Sequence, residues 1–419
     1  MDRDKNTPER AVLVGLDCPI LGEDSSDYES MEELAELLET AGGECTASIL
    51  QSRNAPDPAL FIGGGKMAEV ELTATNTGAE LIIFDNELSP SQLRNLSKAT
   101  GKTVLDRPAL ILDIFADRAH TSEGRLQVEL AQYRYMLSKL SGLGSAMSRL
   151  GGGIGTRGPG ESKLESDRRH IRRRIEHLEE EFERVRRVRS TQRSRRMKSG
   201  IPTVAIVGYT NAGKSTLLGA LCGDGIVGRD RLFDTLDPTA RLYKANDGFS
   251  AIFSDTVGFI RKLPHALIEA FKATLEELKY ADAILHVIDY SSDEWERHAE
   301  VTEKLIAELG VAGTPRIRVF NKMDRCSEPA PLRENDVAIS ASMGIGLGEL
   351  IASLRRVLEL PRRPVELRFA YSQIGLIEMV RTDGLVCGVD YQPDAVVVKA
   401  ECDERLLERL RAEKVEIDG

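Results

Sequence analysis

The chain is 419 residues long, more than one ordinary hydrophobic core accommodates, so about two to four domains are expected. Its composition, 41% hydrophobic and 29% charged, includes no apolar run near the roughly 18 residues a membrane span needs, and the charged opening MDRDKNTPER leads into no signal-peptide core. The net charge of −11 is uneven: residues 168–198 hold 13 Lys/Arg against 5 Glu, or +8, leaving −19 on the rest, so a polyanion would be met through that one segment.

In chain order, residues 1–105 read as a first unit. AVLVGL and ELIIFD are short apolar runs bounded by polar turns, and SMEELAELLETAGG is an amphipathic helix with a glycine stop, which predicts a small parallel α/β subdomain. FIGGGKMAEV, 61–70, is a strand–glycine–Lys–helix junction too short for a full phosphate loop, so a tight turn is the better reading than a second nucleotide site.

Residues 106–200 change character. Leu126, Leu130, Tyr133, Leu137 and Leu140 recur every three or four residues, and so do Leu164, Ile171, Ile175, Leu178, Phe182, Val185 and Val188. Two such stripes predict a long antiparallel helical hairpin, each helix covering the other's seam. Between them, residues 142–160 carry 8 glycines in 19 positions, a density in which no regular helix is expected. Gly153 to Gly158 spell a formal GxGxxG, but it follows a helix instead of a strand, so the dinucleotide reading fails. Arg149, Arg157 and Lys163 in or beside the loop, with Arg168, Arg169, Arg172 and Arg173 on the second helix, are candidate RNA contacts; the bland alternative is a solvated face paired with Glu176, Glu179, Glu180 and Glu183. The +8 excess exceeds what internal pairing neutralises.

Residues 201–360 predict a P-loop GTPase domain of the Ras-like kind. TVAIVG is an apolar strand, KSTLLGALCG is helical in pattern, and GYTNAGKS (Gly208, Tyr209, Thr210, Asn211, Ala212, Gly213, Lys214, Ser215) joins them. That context makes the motif a phosphate cradle: glycines aim backbone N–H groups into one concavity at a helix N-terminus. Lys214 would neutralise phosphate charge and the Ser215 hydroxyl would hold Mg2+. In SAIFSDTVG, Asp255 ends a strand and would hold the Mg2+ through water, with Thr256 and Val257 leading to Gly258, whose N–H would meet the γ-phosphate. Upstream, Phe233, Asp234, Thr235, Leu236 and Asp237 form a segment of little regular pattern; Thr235 alone would be an ordinary loop threonine, but its order in the chain makes it a candidate switch ligand to the metal.

NKMD follows the apolar strand IRVF. Asp324 can accept from guanine N1–H and its exocyclic amine, Asn321, Lys322 and Met323 would support the base, and Ser340, Ala341 and Ser342 would turn an N–H toward the base oxygen. GTP is therefore the expected substrate. Phe259 stands where small GTPases carry a water-orienting Gln, so no catalytic residue is assigned and slow intrinsic hydrolysis is expected. Asn211 either helps hold K+ beside the phosphates or braces the loop. His286 reads as a core-strand residue and Trp295 as packing. Residues 361–419 read as a linker at PRRP followed by strand, helix, two strands and helix, a small α+β domain. Six scattered cysteines, with no CxxC pair, fit reduced thiols in a cytoplasmic protein.

The combination RLQVELAQYRYMLSKLSGLG, SRLGGGIGTRGPGESKLESDRR, GYTNAGKSTLL, LFDTLDPTAR and DTVGFIRKLPH resembles the HflX family of translational GTPases, over most of the chain from FIGGGK to about residue 359. The resemblance implies a GTPase that binds the large (50S-type) ribosomal subunit, with the hairpin and its loop reaching rRNA near the peptidyl transferase centre, and that in several members splits stalled or idle ribosomes; a monomer is expected. Rival readings are a ribosome assembly factor, an RNA-processing or RNA-modification GTPase, and a GTP-dependent module for a non-ribosomal protein. The last predicts binding indifferent to salt, whereas a basic arm predicts steep salt dependence.

Overall fold

A computed structural model of the chain describes residues 8–148, 159–197, 201–223, 232–233, 239–245, 249–256, 258–263, 276–358, 363–402 and 404–418. Its N-terminal unit is a parallel sheet in the order β2-β1-β3-β4, from β1 Arg10–Asp17, β2 Glu44–Ser52, β3 Leu81–Phe84 and β4 Thr103–Asp106. Along β1 the side chains alternate between two helix layers, so Ala11, Val12, Leu13 and Val14 are all fully buried. Ala11 and Leu13 pack with α1 Tyr28–Thr40 and α4 Arg107–Arg118; Val12 and Val14 pack with α2 Gly64–Thr77 and α3 Pro90–Thr100. The α/β unit thus runs past residue 105, because Leu110, Ile111, Ile114 and Phe115 of α4 belong to the same core as Leu34 and Leu37. At FIGGGK the expected strand is absent: Phe61 makes an isolated bridge to Asp57 with φ +66°, its ring turned edge-on to Phe84, and the Gly63 N–H donates to Gln51 Oε1.

The middle region is α5 Ser122–Ser148 and α6 Pro159–Met197. The ten residues joining them reach at most about 35 Å, less than the length of α5 at about 1.5 Å per residue, so the pair returns antiparallel. Arg134–Glu179 (2.8 Å) and Arg174–Glu129 (2.6 Å) cross the seam, beside the fully buried Leu178. The glycine-rich stretch is helical further than expected: α5 continues through Gly142 and Gly144 to Ser148, and α6 starts at Pro159. Two isolated glycines cost a helix only about 1 kcal/mol each, which a long hairpin absorbs, and proline suits a first helical turn. A second apolar face of α5 was not legible from its stripe: Val128, Ala131 and Tyr135 pack onto the N-terminal core.

The third unit is a six-stranded sheet in the order β10-β9-β8-β5-β7-β6. Its strands are β5 Thr203–Gly208, β6 Ala240–Lys244, β7 Ser250–Asp255, β8 Ala283–Asp289, β9 Arg316–Asn321 and β10 Val337–Ala338, all parallel to their neighbours except the edge strand β6. Helix α7 Lys214–Cys222 and the helices Trp295–Glu308 and Leu347–Leu358 cover it. His286 is buried in β8 with Nδ1 3.1 Å from Glu303 Oε1, and Trp295 packs edge-on to Tyr290 and Phe320. The C-terminal unit is an antiparallel sheet, β12-β13-β11-β14, from β11 Arg363–Phe369, β12 Leu385–Tyr391, β13 Val396–Cys402 and β14 Glu416–Asp418, with helices Ile377–Asp383 and Glu404–Ala412. The end of the expected linker is strand: Pro364 pairs with Glu401 on one side, while β14 reaches only Glu366 to Arg368 on the other.

Candidate functional site

The candidate site lies at the carboxyl end of β5, where a parallel α/β sheet offers its ligand crevice. Glycine is required at both glycine positions of GYTNAGKS: a Cβ at Gly208 would collide with the Val287 carbonyl, and Gly213, at φ +89°, lies against the Asn321 amide. Asn211 adopts φ +61°, a left-handed conformation Asn tolerates better than most residues, so the backbone alone accounts for its presence. Ala212 is buried, and Thr210 Oγ1 is buried with no hydrogen-bond partner among the described residues.

Lys214 opens α7 and is only 7% exposed. Its ammonium donates to Gly208 O (3.2 Å) and Tyr209 O (2.8 Å), which uses two of three hydrogens and leaves one for a ligand. Burial pushes this amine down to about 8, against the opposing pull of Asp255. A bound polyphosphate would restore the charged form, so binding takes up a proton above that value. Nucleotide affinity should therefore be flat below pH 8 and fall by up to about tenfold per unit above it. Titration with a fluorescent GDP between pH 7 and 9 checks this; a flat profile would rule it out.

Ser215 Oγ donates to Asp255 Oδ2 at 3.0 Å, so a hydroxyl and a carboxylate converge at the start of α7 as a Mg2+ site requires. Thr256 Oγ1 instead donates to Ile206 O and braces the strand. Gly258 passes so close to the loop that a Cβ would meet Thr210 Cγ2 at 2.9 Å and Lys214 Nζ at 3.0 Å. Phe259 extends the ladder beyond it: its N–H donates to Gly208 O (3.1 Å) and its carbonyl accepts from Thr210 N (2.7 Å). The Phe259 ring is buried with Val207, Leu278 and Ile284, so this position serves the core. The Phe233 ring is buried edge-on to Phe115 of α4, at 4.6 Å, in the core cluster that also holds Tyr209 of the phosphate loop. Asp234, Thr235, Leu236, Asp237 and Val257 lie outside the described residues.

The NKMD and SAS segments meet the phosphate loop at one residue. Asn321 donates through Nδ2 to Ala212 O (2.9 Å) and accepts through Oδ1 from Ala341 N (3.0 Å), tying the phosphate loop to the SAS segment. Lys322, at φ +63°, pairs with Asp289 at 2.7 Å, and Met323 N donates to Ile339 O. Asp324 is exposed and accepts at Oδ1 from Ser340 Oγ (2.5 Å), which is 3.2 Å from Ser342 Oγ. That hydrogen bond holds the Asp324 carboxyl below the usual range and fixes its orientation.

On the hairpin, Arg169, Arg172 and Arg173 are exposed and make no ion pair among the described residues, whereas Arg168 lies 3.8 Å from Glu165 and Arg174 is spent in the seam. Lys163 lies in α6, and Arg149 and Arg157 are outside the described residues. The hairpin is tied to the N-terminal sheet through Asp106, which accepts from Tyr135 OH (2.6 Å) and pairs with Lys139 (3.0 Å).

Sequence reasoning missed a set of charges between the first and third units. The Tyr209 hydroxyl donates to Glu33 of α1 and accepts from Arg261 N (2.9 Å), and its ring stacks on His298 at 4.0 Å. Arg261 pairs with Asp27, and Lys262 with Asp85. The available signals were an Asp ending the apolar run LIIFD and an Arg-Lys pair directly after DTVGFI.

Three family profiles match the chain in succession. One described as GTP-binding GTPase N-terminal covers residues 28–116, one described as GTP-binding GTPase Middle Region covers 118–196, and one described as 50S ribosome-binding GTPase covers 203–322. A GTPase HflX of Caldanaerobacter subterraneus subsp. tengcongensis is 48% identical, over 98% of this chain and 94% of that protein. The GTPase HflX of Escherichia coli K12 is 41% identical, over 88% of this chain and 90% of its own length. Among solved structures, a GTP-binding protein from Sulfolobus solfataricus in complex with GDP is 25% identical, with a TM-score of 0.44 over 84% of this chain and 98% of that one.

Proposed function

The chain belongs to the HflX family of GTPases, and from that premise we propose that it is a cytoplasmic monomer that uses GTP to time its association with the large ribosomal subunit, and so the splitting or rescue of ribosomes. It is a GTPase that binds guanine nucleotide. In this reading Gly208 to Ser215 cradle the phosphates, Asp324 reads guanine with Ser340 and Ala341 beside it, and Gly258 meets the third phosphate. Ser215 and Thr235 would hold Mg2+, with Asp255 behind a water; the ion supplies charge neutralisation at the phosphates. Asn211 is the residue that would face K+.

The observation that carries the ribosomal reading is the trio Arg169, Arg172 and Arg173, exposed and without ion pairs among the described residues on a hairpin anchored at Asp106. Guanidinium groups left to solvent on a rigid helix suit RNA phosphates, and a profile described as 50S ribosome-binding GTPase matches the neighbouring unit. Arg149, Arg157, Lys163 and Arg168 would extend the same contact. The test is sedimentation with purified large subunits in GDP and in a slowly hydrolysed GTP analogue. The analogue should promote co-sedimentation, and binding should weaken steeply with salt. Arg172→Ala with Arg173→Ala should lower the salt slope by about 2 and affinity by about tenfold. Co-sedimentation indifferent to both nucleotide and salt would sink the proposal.

A further inference from the structure

The carboxyl edge of the N-terminal sheet forms the kind of crevice in which doubly wound folds hold ligands. The chain leaves β1 toward β2 and then crosses to β3 on the opposite side, so β1 and β3 flank the switch point. The crevice is lined by Ser26 and Ser30, which follow β1, and Asp85 and Asn86, which follow β3, and all four are buried. Ser26 Oγ donates to Asp85 Oδ2 at 2.7 Å and lies 2.9 Å from Asn86 Oδ1. Arg107, fully buried at the start of α4, bonds Asp85 Oδ1 at 2.7 Å and pairs with Glu33.

The guest in this crevice is a side chain of the third unit. Lys262, four residues beyond Gly258, buries its ammonium there, paired with Asp85 and 3.0 Å from Ser30 Oγ. It does so from a left-handed backbone, φ +54°. Next to it, Arg261 N donates to the hydroxyl of the loop residue Tyr209, and its guanidinium bonds Asp27 at 3.0 Å. The segment 258–262 is thus held at one end by the Phe259 ladder to the phosphate loop and at the other by the N-terminal crevice.

We propose that the switch-point crevice of the N-terminal unit is a receptor for Lys262, and that Lys262 is a positioning residue for GTP turnover. Its docking sets where Gly258 lies relative to Lys214, and so whether the Gly258 N–H is ready for the third phosphate. A buried lysine and a buried aspartate are each unfavourable alone, and withdrawing Lys262 leaves two carboxylates, Asp85 and Glu33, sharing the single charge of Arg107. GDP has no third phosphate and does not touch Gly258, so the docking acts on GTP alone. The inference rests on the assignment of Gly258 to the third phosphate, and Lys214→Ala checks the nucleotide site separately.

The test is Lys262→Met in the full-length chain, which keeps the stem and leaves Asp85 paired with Arg107. Affinities for fluorescent GDP and for a fluorescent, slowly hydrolysed GTP analogue are compared, with single-turnover hydrolysis measured alongside. Analogue affinity and single-turnover rate should each fall about tenfold while GDP affinity stays within about twofold, the size expected for one charged hydrogen-bonded contact. Lys262→Arg should recover most of the selectivity, and Ser30→Ala, which removes one partner of the ammonium, should shift it the same way by less. Equal affinities for both nucleotides before and after substitution would overturn the proposal. So would a parallel loss for GDP and the analogue, which marks general damage to the fold.

Discussion

Asp324→Asn should exchange a preference for GTP for one for xanthosine triphosphate. In the proposed base site the carboxylate would accept from guanine N1–H and from the exocyclic amine; an amide would accept only once and present N–H to the amine, leaving two donors facing each other. A lost charged hydrogen bond and an unmet donor together should lower GTP affinity on the order of 10²–10³-fold. Xanthine carries an oxygen where guanine carries the amine, so the same amide pairs with it correctly. The geometry favours a clean exchange, because Asp324 is exposed and oriented by Ser340 Oγ at 2.5 Å, a bond an asparagine oxygen can also accept. Competition of each triphosphate against fluorescent GDP measures it. An unchanged guanine preference would remove Asp324 from the base site.

Lys214→Ala should abolish nucleotide-dependent behaviour without unfolding the chain. Removing one preorganised donor from a phosphoryl-transfer site lowers turnover by about 10²–10³-fold, and here the lost group also carries the charge opposed to the phosphates. The same substitution relieves the protein of an ammonium that is only 7% exposed and whose burial pushes its amine down to about 8. The melting temperature of the nucleotide-free variant should therefore not drop, while its GTP hydrolysis and its analogue-dependent sedimentation with large subunits both disappear. Retained hydrolysis would refute the assignment of the loop. A lower melting temperature would show that the bonds to Gly208 O and Tyr209 O outweigh the burial of charge.

The two substitutions also separate what the phosphate loop and the base motif each contribute. Asn321 joins them through Ala212 O and Ala341 N, so the two segments share one hydrogen-bonded frame. That frame continues outward. Phe259 and Tyr209 connect it to the N-terminal crevice, and Asp106, one residue before Arg107, connects the N-terminal sheet to the hairpin. Nucleotide site and basic helix are therefore joined by packed, bonded elements.

Much of this was determined by the sequence alone. GYTNAGKS, Asp255 of DTVG and NKMD each stand at the end of an apolar strand, a placement that order and spacing alone predict. Parallel strands buried on both faces and paired helical stripes are likewise local periodicities, and they carried the α/β units and the hairpin. Where local reading failed, a distant partner had decided the outcome. Phe233 lies with Phe115 because the N-terminal core offers it a socket, and α5 has a second apolar face because α3 and α4 of the N-terminal unit lie behind it. Asp85 and Lys262 stand 177 residues apart, and Tyr209 and Glu33 176 apart. Charged residues in such positions look in sequence like solvated surface, since nothing near them in the chain neutralises them. Only the tertiary structure brings the opposite charge, and a buried charge is tolerable only once it has arrived.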